Sequence, residues 1–218
     1  MSDRTTHRNV SSSDCHGIFE SNTNQTLVLL LDFKTEGLLH LVDQHLEQFR
    51  KQGCLSYWDQ DHFVSRAITV VASGKAPNEI AAHTKRDIFL DAPLDHLRET
   101  SSFTVNHTTA GGQVARESFL WNSSTAYYAS VSFKKAIGHV GRGHLNNGQL
   151  QSLRSQIQTA HEKGLLARYW DTPVWPTSLR NYVWQVLVDE GADVLNVDDL
   201  QAAAFLDWRR EEHKLMDG

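Results

Sequence analysis

One stretch of the sequence, LVLLLDFKTEG at residues 27–37, constrains the fold more than any other. Its five consecutive apolar residues, 27–31, are typical of a strand that is buried on both faces, as in a parallel sheet. An amphipathic helix is predicted at residues 36–52, because apolar residues recur there at helical spacing and Gly53 follows. The stretch therefore predicts one strand–helix unit of an α/β protein.

Five further β-rich runs follow, with helical patterns between the later ones. The runs lie at residues 67–73, 88–91, 127–133, 165–170 and 193–197, and helices are predicted at 148–163, at 178–190 and from Leu200 onward. Six strands that alternate with helices imply a parallel sheet, either closed as a (β/α)8 barrel or open and doubly wound. No G-x-G-x-x-G or P-loop motif follows the first strand, so the nucleotide-binding doubly wound folds are not indicated.

Charge and composition narrow the possible partners and locations. The chain has 218 residues and a formal net charge of -5, and no basic cluster indicates a nucleic-acid-binding surface. No apolar stretch approaches the roughly 20 residues of a transmembrane helix. No apolar core of a secretory signal is visible in the chain, and the sequence leaves the location unknown, with the cytoplasm as the default. Residues 1–16 are polar and aperiodic, which predicts a flexible tail before a domain at 17–213.

Two cysteines and four N-x-S/T sequons stand apart from these patterns. Cys15 and Cys54 are too few for a disulfide framework or a cysteine zinc site, and nothing in the sequence requires them to pair. The sequons begin at Asn9, Asn24, Asn106 and Asn122. Such tripeptides arise often by chance, so without a visible secretory signal they predict no modification.

Charged residues at the end of the first strand are the first candidates for chemistry. Side chains alternate along a strand, so Asp32 and Lys34 share one face and are expected to lie together. Parallel α/β folds place their active sites at the carboxyl ends of strands. A carboxylate there can bind a divalent cation, and a lysine can neutralise a phosphate or an oxyanion. The alternative is a structural ion pair.

Similar candidates follow the later strands. Asp91 comes after IFL and Asp171 after RYW, each at the end of a predicted strand, and Asp198 and Asp199 come after the last. Asp171 could simply begin a turn, and Asp198 or Asp199 could cap the final helix. Trp170 and Trp175 flank the loop that contains Asp171 and could line a substrate pocket, with core packing as the alternative.

Five motifs in a fixed order carry a resemblance to a known family. They are LLLDFKTEG, FLDAPLDHL, WNSSTAYYASVSF, GLLARYWDTPVWP and GADVLNVDDL. From about residue 17 to residue 207, the chain resembles the fungal family named altered inheritance of mitochondria protein six, within the superfamily of phospholipase-C-like phosphodiesterases. The resemblance implies a TIM barrel that hydrolyses a phosphodiester, in a glycerol derivative or another lipid-derived small molecule, with Mg²⁺ or Ca²⁺.

The resemblance also implies roles for individual residues. Asp32 would be a metal ligand, and Lys34 would contact the phosphate. The predicted substrate pocket consists of Trp170, Asp171, Trp175 and Asp198. Within it, Trp170 corresponds to the aromatic residue that ends the seventh strand of the family, and Asp198 belongs to the acidic pair that ends the eighth.

Part of the family pattern is absent from this sequence. The family begins with a stretch similar to H-S-H-N-D-Y, followed by an E-x-D pair and a G-H-D-like histidine, and none of these occurs here. The resemblance then implies an incomplete (β/α)8 TIM barrel of about six strands, in which the run at residues 27–34 is strand three of eight, and strands three and eight would each have an unpaired edge. One carboxylate is too few to hold a divalent ion, so we expect little or no metal binding and little or no activity from this chain.

Three interpretations stay open at this point. In the first interpretation, the chain is a fragment of a metal-dependent phosphoric diester hydrolase, left by an incomplete gene model. Alternatively, it is a non-catalytic barrel remnant that binds a partner through its open edges or its loops. The third interpretation, an unrelated doubly wound binding protein, requires an open sheet with helices on both faces.

Overall fold

The structure is a computed structural model that describes residues 15, 17, 19–59, 61–83, 85–108 and 112–208. The predicted tail at residues 1–16 lies outside the described residues, except for Cys15. The chain divides into two compact units. The first unit comprises residues 1–90 and 104–119, and the second unit comprises residues 91–103 and 120–218.

The described residues form ten strands and five α-helices. In chain order these are β1 (Leu27–Phe33), α1 (Leu39–Lys51), β2 (Tyr57–Asp59), β3 (His62–Val64), β4 (Ile68–Gly74), β5 (Ile88–Pro93), β6 (Ser102–Thr108), β7 (Val114–Leu120), β8 (Ala126–Ser132), α2 (Phe133–Ala136), α3 (Asn147–Glu162), β9 (Leu166–Trp170), α4 (Thr177–Asp189), β10 (Val194–Leu195) and α5 (Leu200–Phe205). Short 3-10 helices lie at Asn78–Ala82 and Gly141–Gly143.

Six of these strands form one sheet, in the order β1-β4-β5-β8-β9-β10. The β1–β4 and β4–β5 pairs of the first unit are parallel, and so are the β8–β9 and β9–β10 pairs of the second. Strand β5 runs from one unit into the other. All six strands correspond to predicted runs, so the prediction of a mixed α/β fold with about six parallel strands is confirmed.

Two further two-stranded sheets, β2–β3 and β6–β7, were not predicted. Strands β2 and β3 have only three residues each. Strand β7 has the sequence VARESFL, in which polar residues interrupt the apolar ones. Strands β2, β3 and β7 therefore lack the apolar run or the strict alternation by which a strand is recognised in a sequence, whereas β6, SFTVNHT, alternates over residues 102–106 and was missed all the same.

Burial differs between the neighbouring strands β1 and β4. Val70 and Val71 of β4 are completely buried, as expected for an inner strand of a parallel sheet. Leu27 and Leu29 of β1 are 37% and 38% exposed. The prediction that β1 is buried on both faces is therefore wrong for these two residues, because β1 is an end strand with β4 as its one neighbour in the described sheet.

An ion cluster attaches α1 to the rest of the first unit. The guanidinium of Arg50 donates hydrogen bonds to the carboxylate of Asp87, just before β5, and to Asp43 Oδ1 at 2.6 Å. The side chains of Arg50 and Asp87 are only 10% and 8% exposed. Hydrogen bonding to Asp87 raises the pKa of Arg50 above its ordinary value, so the guanidinium stays charged at every physiological pH.

A disulfide joins Cys15 to Cys54, with a Cα–Cα distance of 5.1 Å. Cys54 is 2% exposed and follows α1 directly. The sequence left this pairing open, because the partners are 39 residues apart. The bond connects the beginning of the described chain to the core of the first unit.

The second unit contains α3 and α4, whose buried faces carry the predicted apolar residues. Leu153 and Ile157 of α3 and Val183 and Leu187 of α4 are at most 3% exposed. A capping box formed by Asn146 and Gln149 begins α3. Within the described ranges, every helix is too short or too polar to cross a lipid bilayer.

Candidate functional site

Asp32 and Lys34 lie together at the carboxyl end of β1. Asp32 is the penultimate residue of the strand, and its Oδ2 forms an ion pair with Lys34 Nζ. The Asp32 side chain is 49% exposed and that of Lys34 is 82% exposed, so both are accessible to a ligand. Their proximity agrees with the strand alternation, and their roles toward a metal ion and a phosphate stay predictions.

Gly74, the last residue of β4, lies against the Asp32 carboxylate. Gly74 is opposite Phe33 in the parallel register and has φ +71. A Cβ at this position would collide with Asp32 Oδ1 and would lie 2.7 Å from the carbonyl oxygen of Phe33. The position of the carboxylate therefore depends on a residue without a side chain. The sequence signal for this contact is no more than a glycine that ends an apolar strand.

A groove of about 980 Å³ lies in the first unit beyond the ends of β1 and β4. Its polar lining comes from the β1–α1 loop, from α1, from the segment after β4 and from β6: Glu36, His40, Asp43, Lys75, Glu79 and Asn106. His40 Nδ1 lies 3.1 Å from the carbonyl oxygen of Gly37, which holds the imidazole near its own loop. The groove offers acidic, basic and amide groups to a polar ligand.

Asp171 has an unusual conformation at the end of β9. Its φ is +57, a left-handed backbone that residues other than glycine rarely adopt, although Asp and Asn tolerate it best. Its Oδ2 accepts a hydrogen bond of 2.8 Å from Ser132 Oγ. Ser132 ends β8 and is 1% exposed. A buried hydroxyl on the neighbouring strand thus orients the Asp171 carboxylate.

A smaller cavity of about 260 Å³ collects two of the four predicted pocket residues. Asp171 and Asp198 both line it, together with Arg180, Trp184 and Asn196. Trp170 and Trp175 are 40% and 76% exposed and are not among the residues that line this cavity. The structure therefore brings Asp171 and Asp198 to one site and leaves the two tryptophans outside it.

Asp199 caps the last helix, as predicted for one member of the acidic pair. Its Oδ1 accepts a hydrogen bond of 2.9 Å from the backbone N–H of Ala202 in α5. Its Oδ2 accepts another from Arg180, whose guanidinium also lies 4.6 Å from the ring centre of Trp184. The Ala202 N–H, followed by Arg180, lowers the pKa of Asp199 below its ordinary value.

Arg168 is a candidate that sequence reasoning missed. It lies in the middle of β9, and its guanidinium hydrogen-bonds to Asn196 and is 3.9 Å from the carboxylate of Asp91 in β5. The Arg168 and Asp91 side chains are 13% and 6% exposed. The signal was present in the sequence LLARYW, because an arginine inside a buried strand requires polar partners.

The described side chains offer few ligands to a metal ion. No three His, Cys, Asp or Glu residues within the described part of the chain come together in a group that could hold a metal ion. Asp32 is an accessible carboxylate, but one carboxylate supplies too few of the oxygen ligands that Mg²⁺ or Ca²⁺ requires. The described residues therefore do not form a complete metal site.

Comparisons with known proteins agree with the resemblance inferred from the motifs. Residues 1–91 match the family model described as AIM6-like phosphodiesterase domain. The chain is 33% identical over 202 residues to the altered inheritance of mitochondria protein 6 homolog of Arthroderma benhamiae. This alignment covers 89% of this chain and 57% of that protein. It is 32% identical over 203 residues to altered inheritance of mitochondria protein 6 of Eremothecium gossypii, covering 89% of this chain and 50% of the relative.

The chain spans about half the length of the curated relatives that it matches. No solved structure matches it. The family model matches the first 91 residues, and the relatives are 27–33% identical over most of the chain. The resemblance seen in the five motifs is therefore confirmed: the chain is similar to the altered inheritance of mitochondria protein 6 proteins of fungi.

Proposed function

We propose that this chain is part of a phosphoric diester hydrolase of the phospholipase-C-like kind, and that its six sheet strands are strands three to eight of a (β/α)8 barrel. One observation carries the proposal. The strands follow one another in the sheet in their chain order, whereas a doubly wound sheet reverses its order at a switch point. The match to an AIM6-like phosphodiesterase domain supports the same conclusion.

Two groups at the end of β1 are assigned to the phosphodiester. Lys34 neutralises a phosphate oxygen, because its ammonium is exposed at the carboxyl edge, where such folds bind their substrates. Asp32 orients Lys34 through their ion pair and is one ligand for Mg²⁺ or Ca²⁺. In the second unit, Asp171 and Asp198 line a cavity that can accept the hydroxyl groups of an alcohol substituent. Trp170 and Trp175 are exposed aromatic surfaces for an apolar substituent.

A general acid and a general base are also required to cleave a phosphodiester. The family histidines and the E-x-D pair are absent from this sequence, and the described residues do not complete a metal site. We therefore infer that the 218-residue chain alone does not turn over substrate, and that activity requires a longer protein in which these groups are present.

The experiment compares this chain with the longest transcript product of the same locus. Each is incubated with Mg²⁺ and a panel of glycerophosphodiesters and lysophospholipids. We expect turnover by the longer product alone. In that product, Asp32→Ala and Lys34→Ala should each lower kcat/KM by about 10²–10³-fold, because each removes a charge at the reacting phosphate.

Lys51→Ala is the matched control for Lys34→Ala, because Lys51 is an exposed lysine at the end of α1 and should leave kcat/KM unchanged. Hydrolysis by the short chain would contradict its inferred inactivity, and hydrolysis by either protein that survives Asp32→Ala would contradict the proposed site. A longer product that carries the family motifs but cleaves no phosphodiester in the panel would contradict the proposed function.

A second candidate function, a non-catalytic remnant that binds a partner through a sheet edge, is favoured by the exposure of two leucines of β1. Leu27 and Leu29 are exposed on a strand with one described neighbour, and such an edge can pair with another strand. If this is its function, Leu29→Lys should abolish self-association or partner capture in light scattering, while Val114→Lys, a control at an exposed valine of β7, should not.

A further inference from the structure

The disulfide between Cys15 and Cys54 indicates the chemical environment in which the chain matures. These are the two cysteines of the sequence, and both are used in the bond. Cys54 is 2% exposed, so its sulfur lies within the core of the first unit. Disulfides of this structural kind form and persist in oxidising compartments and are rare where thiols are kept reduced.

Two of the N-x-S/T sequons lie on the surface of the first unit. Asn24 is exposed in a turn that precedes β1, where Gln25 N–H donates to the carbonyl oxygen of Asn22 at 3.0 Å. Asn106 is exposed on β6, and Thr108 of the same sequon is exposed as well. A glycan on either asparagine would project into solvent without displacing a packed residue, which is the usual setting of an N-glycosylation site.

The sequon at Asn122 is different and provides an internal control. Asn122 is half-buried, and its Oδ1 accepts hydrogen bonds from Ser124 N–H at 2.9 Å and from Ser124 Oγ at 2.7 Å. It stands between Trp121 and Thr125, which are 7% and 4% exposed. A glycan here would disrupt a closed turn. Asn9 lies outside the described residues.

We propose that the protein matures in an oxidising, glycosylating compartment and carries N-linked glycans on Asn24 and Asn106 but not on Asn122. The disulfide and the exposed sequons are independent observations that agree on this compartment. The proposal replaces the cytoplasmic location expected by default, and it does not rest on the phosphodiesterase function. Asn106 also lines the groove of the first unit, so its glycan would border that opening.

The two modifications have defined chemistry. In glycan transfer, Asn Nδ2 bonds to the anomeric carbon of a lipid-linked oligosaccharide, the bond from that carbon to the lipid diphosphate breaks, and Nδ2 loses one proton. In disulfide formation, the two thiols lose two protons and two electrons to the disulfide of an oxidoreductase, which becomes a dithiol.

The test uses the protein isolated from its source cells with an antibody. Free thiols are alkylated during denaturation, N-glycans are removed by a peptide N-glycosidase in H₂¹⁸O, and peptides are mapped by mass spectrometry. We expect ¹⁸O-labelled aspartate at positions 24 and 106, unmodified asparagine at 122, and a peptide pair linked through Cys15 and Cys54. In the source cells, Asn24→Gln and Asn106→Gln should each remove one glycosidase-sensitive mobility step, and Asn122→Gln should remove none.

Two results would overturn the proposal. One is a protein whose mobility the glycosidase does not change and whose two cysteines are both alkylated, since that describes a reducing compartment. The other is ¹⁸O label at position 122 in place of 24 and 106, because the surface argument would then select the wrong sites. If a variant fails to accumulate, peptide mapping of the unaltered protein is sufficient to decide which asparagines carry glycans.

Discussion

At the residue scale, a single glycine controls where the Asp32 carboxylate can lie. Gly74 has a left-handed backbone, and its missing side chain leaves room for Asp32 Oδ1 and the carbonyl of Phe33. Gly53 provides a matched comparison, because it has φ +67 in the same unit but nothing within 4 Å of an added Cβ. The two glycines therefore separate backbone strain from steric collision.

We predict that Gly53→Ala lowers the free energy of unfolding by about 1–2 kcal/mol, the cost of a left-handed alanine. Gly74→Ala should cost about 1–3 kcal/mol more, because overpacking is added to the same strain. Urea unfolding of both variants measures the difference. Adding Asp32→Ala to Gly74→Ala should recover part of the loss, and equal stabilities of the two glycine variants would contradict the prediction.

Asp199 gives a prediction about pH. Its pKa is lowered in the folded chain by the Ala202 N–H and then by Arg180, so its contribution to stability is complete above the ordinary aspartate pKa of about 4. That contribution is lost as the pH falls through the lowered folded pKa. We expect the backbone N–H of Ala202 to exchange with solvent more readily, relative to the intrinsic rate, as the pH falls below about 4.

Asp199→Asn is the control, since asparagine also caps helices but does not titrate. In this variant the protection of the Ala202 N–H should not depend on pH in the same range. Hydrogen exchange followed by NMR measures both proteins. Identical pH profiles for the two would show that the Asp199 carboxylate does not hold the beginning of α5.

At the element scale, α1 is positioned by its apolar face and by one buried cation. The helix was predicted from apolar spacing alone, and the Arg50 cluster was not. Arg50 contacts Asp43 within its own helix and Asp87 at the entrance to β5. The cluster therefore connects α1 to a strand that is 37 residues away along the chain.

We predict that Arg50→Ala lowers the free energy of unfolding by about 3–5 kcal/mol, because it leaves the Asp87 carboxylate buried without its partner. Arg154→Ala is the control: Arg154 pairs with Glu190 in the second unit, but its side chain is 61% exposed, and exposed pairs contribute about 0–1 kcal/mol. Denaturant titrations of the two variants measure the contrast. Similar losses in both would argue against a special role for the Arg50 cluster.

At the scale of the whole molecule, the Cys15–Cys54 disulfide is a covalent link between distant parts of the chain. It closes a span of 39 residues that contains β1 and α1. We predict that the double variant Cys15→Ser, Cys54→Ser lowers the free energy of unfolding by about 2–4 kcal/mol, since the unfolded chain gains freedom when the loop is opened.

Calorimetry of the oxidised protein, the reduced protein and the double serine variant tests this prediction. The reduced protein and the variant should melt at similar temperatures, both below that of the oxidised protein. An unchanged melting temperature on reduction would show that the bond does not constrain the unfolded chain.

Most of the sheet could be predicted from the sequence, because its signals are local. Apolar runs marked the six strands of the main sheet, and helical spacing marked α1, α3, α4 and α5. The strands β2, β3, β6 and β7 were missed, since their pairing depends on the partner strand more than on their own residues. Of the candidate site, the Asp32–Lys34 pair followed from strand alternation, and the cap at Asp199 followed from helix chemistry.

The sequence by itself determined the order of strands and helices, the charges that end β1, and a resemblance carried by five motifs. Only the tertiary structure decided which neighbours those residues have. Gly74 beside Asp32, Ser132 beside Asp171, Arg168 beside Asp91 and Cys15 bonded to Cys54 all join residues that are far apart in the chain. Local periodicity carries the backbone pattern, whereas contacts across strands depend on register and packing, which no short stretch of sequence contains.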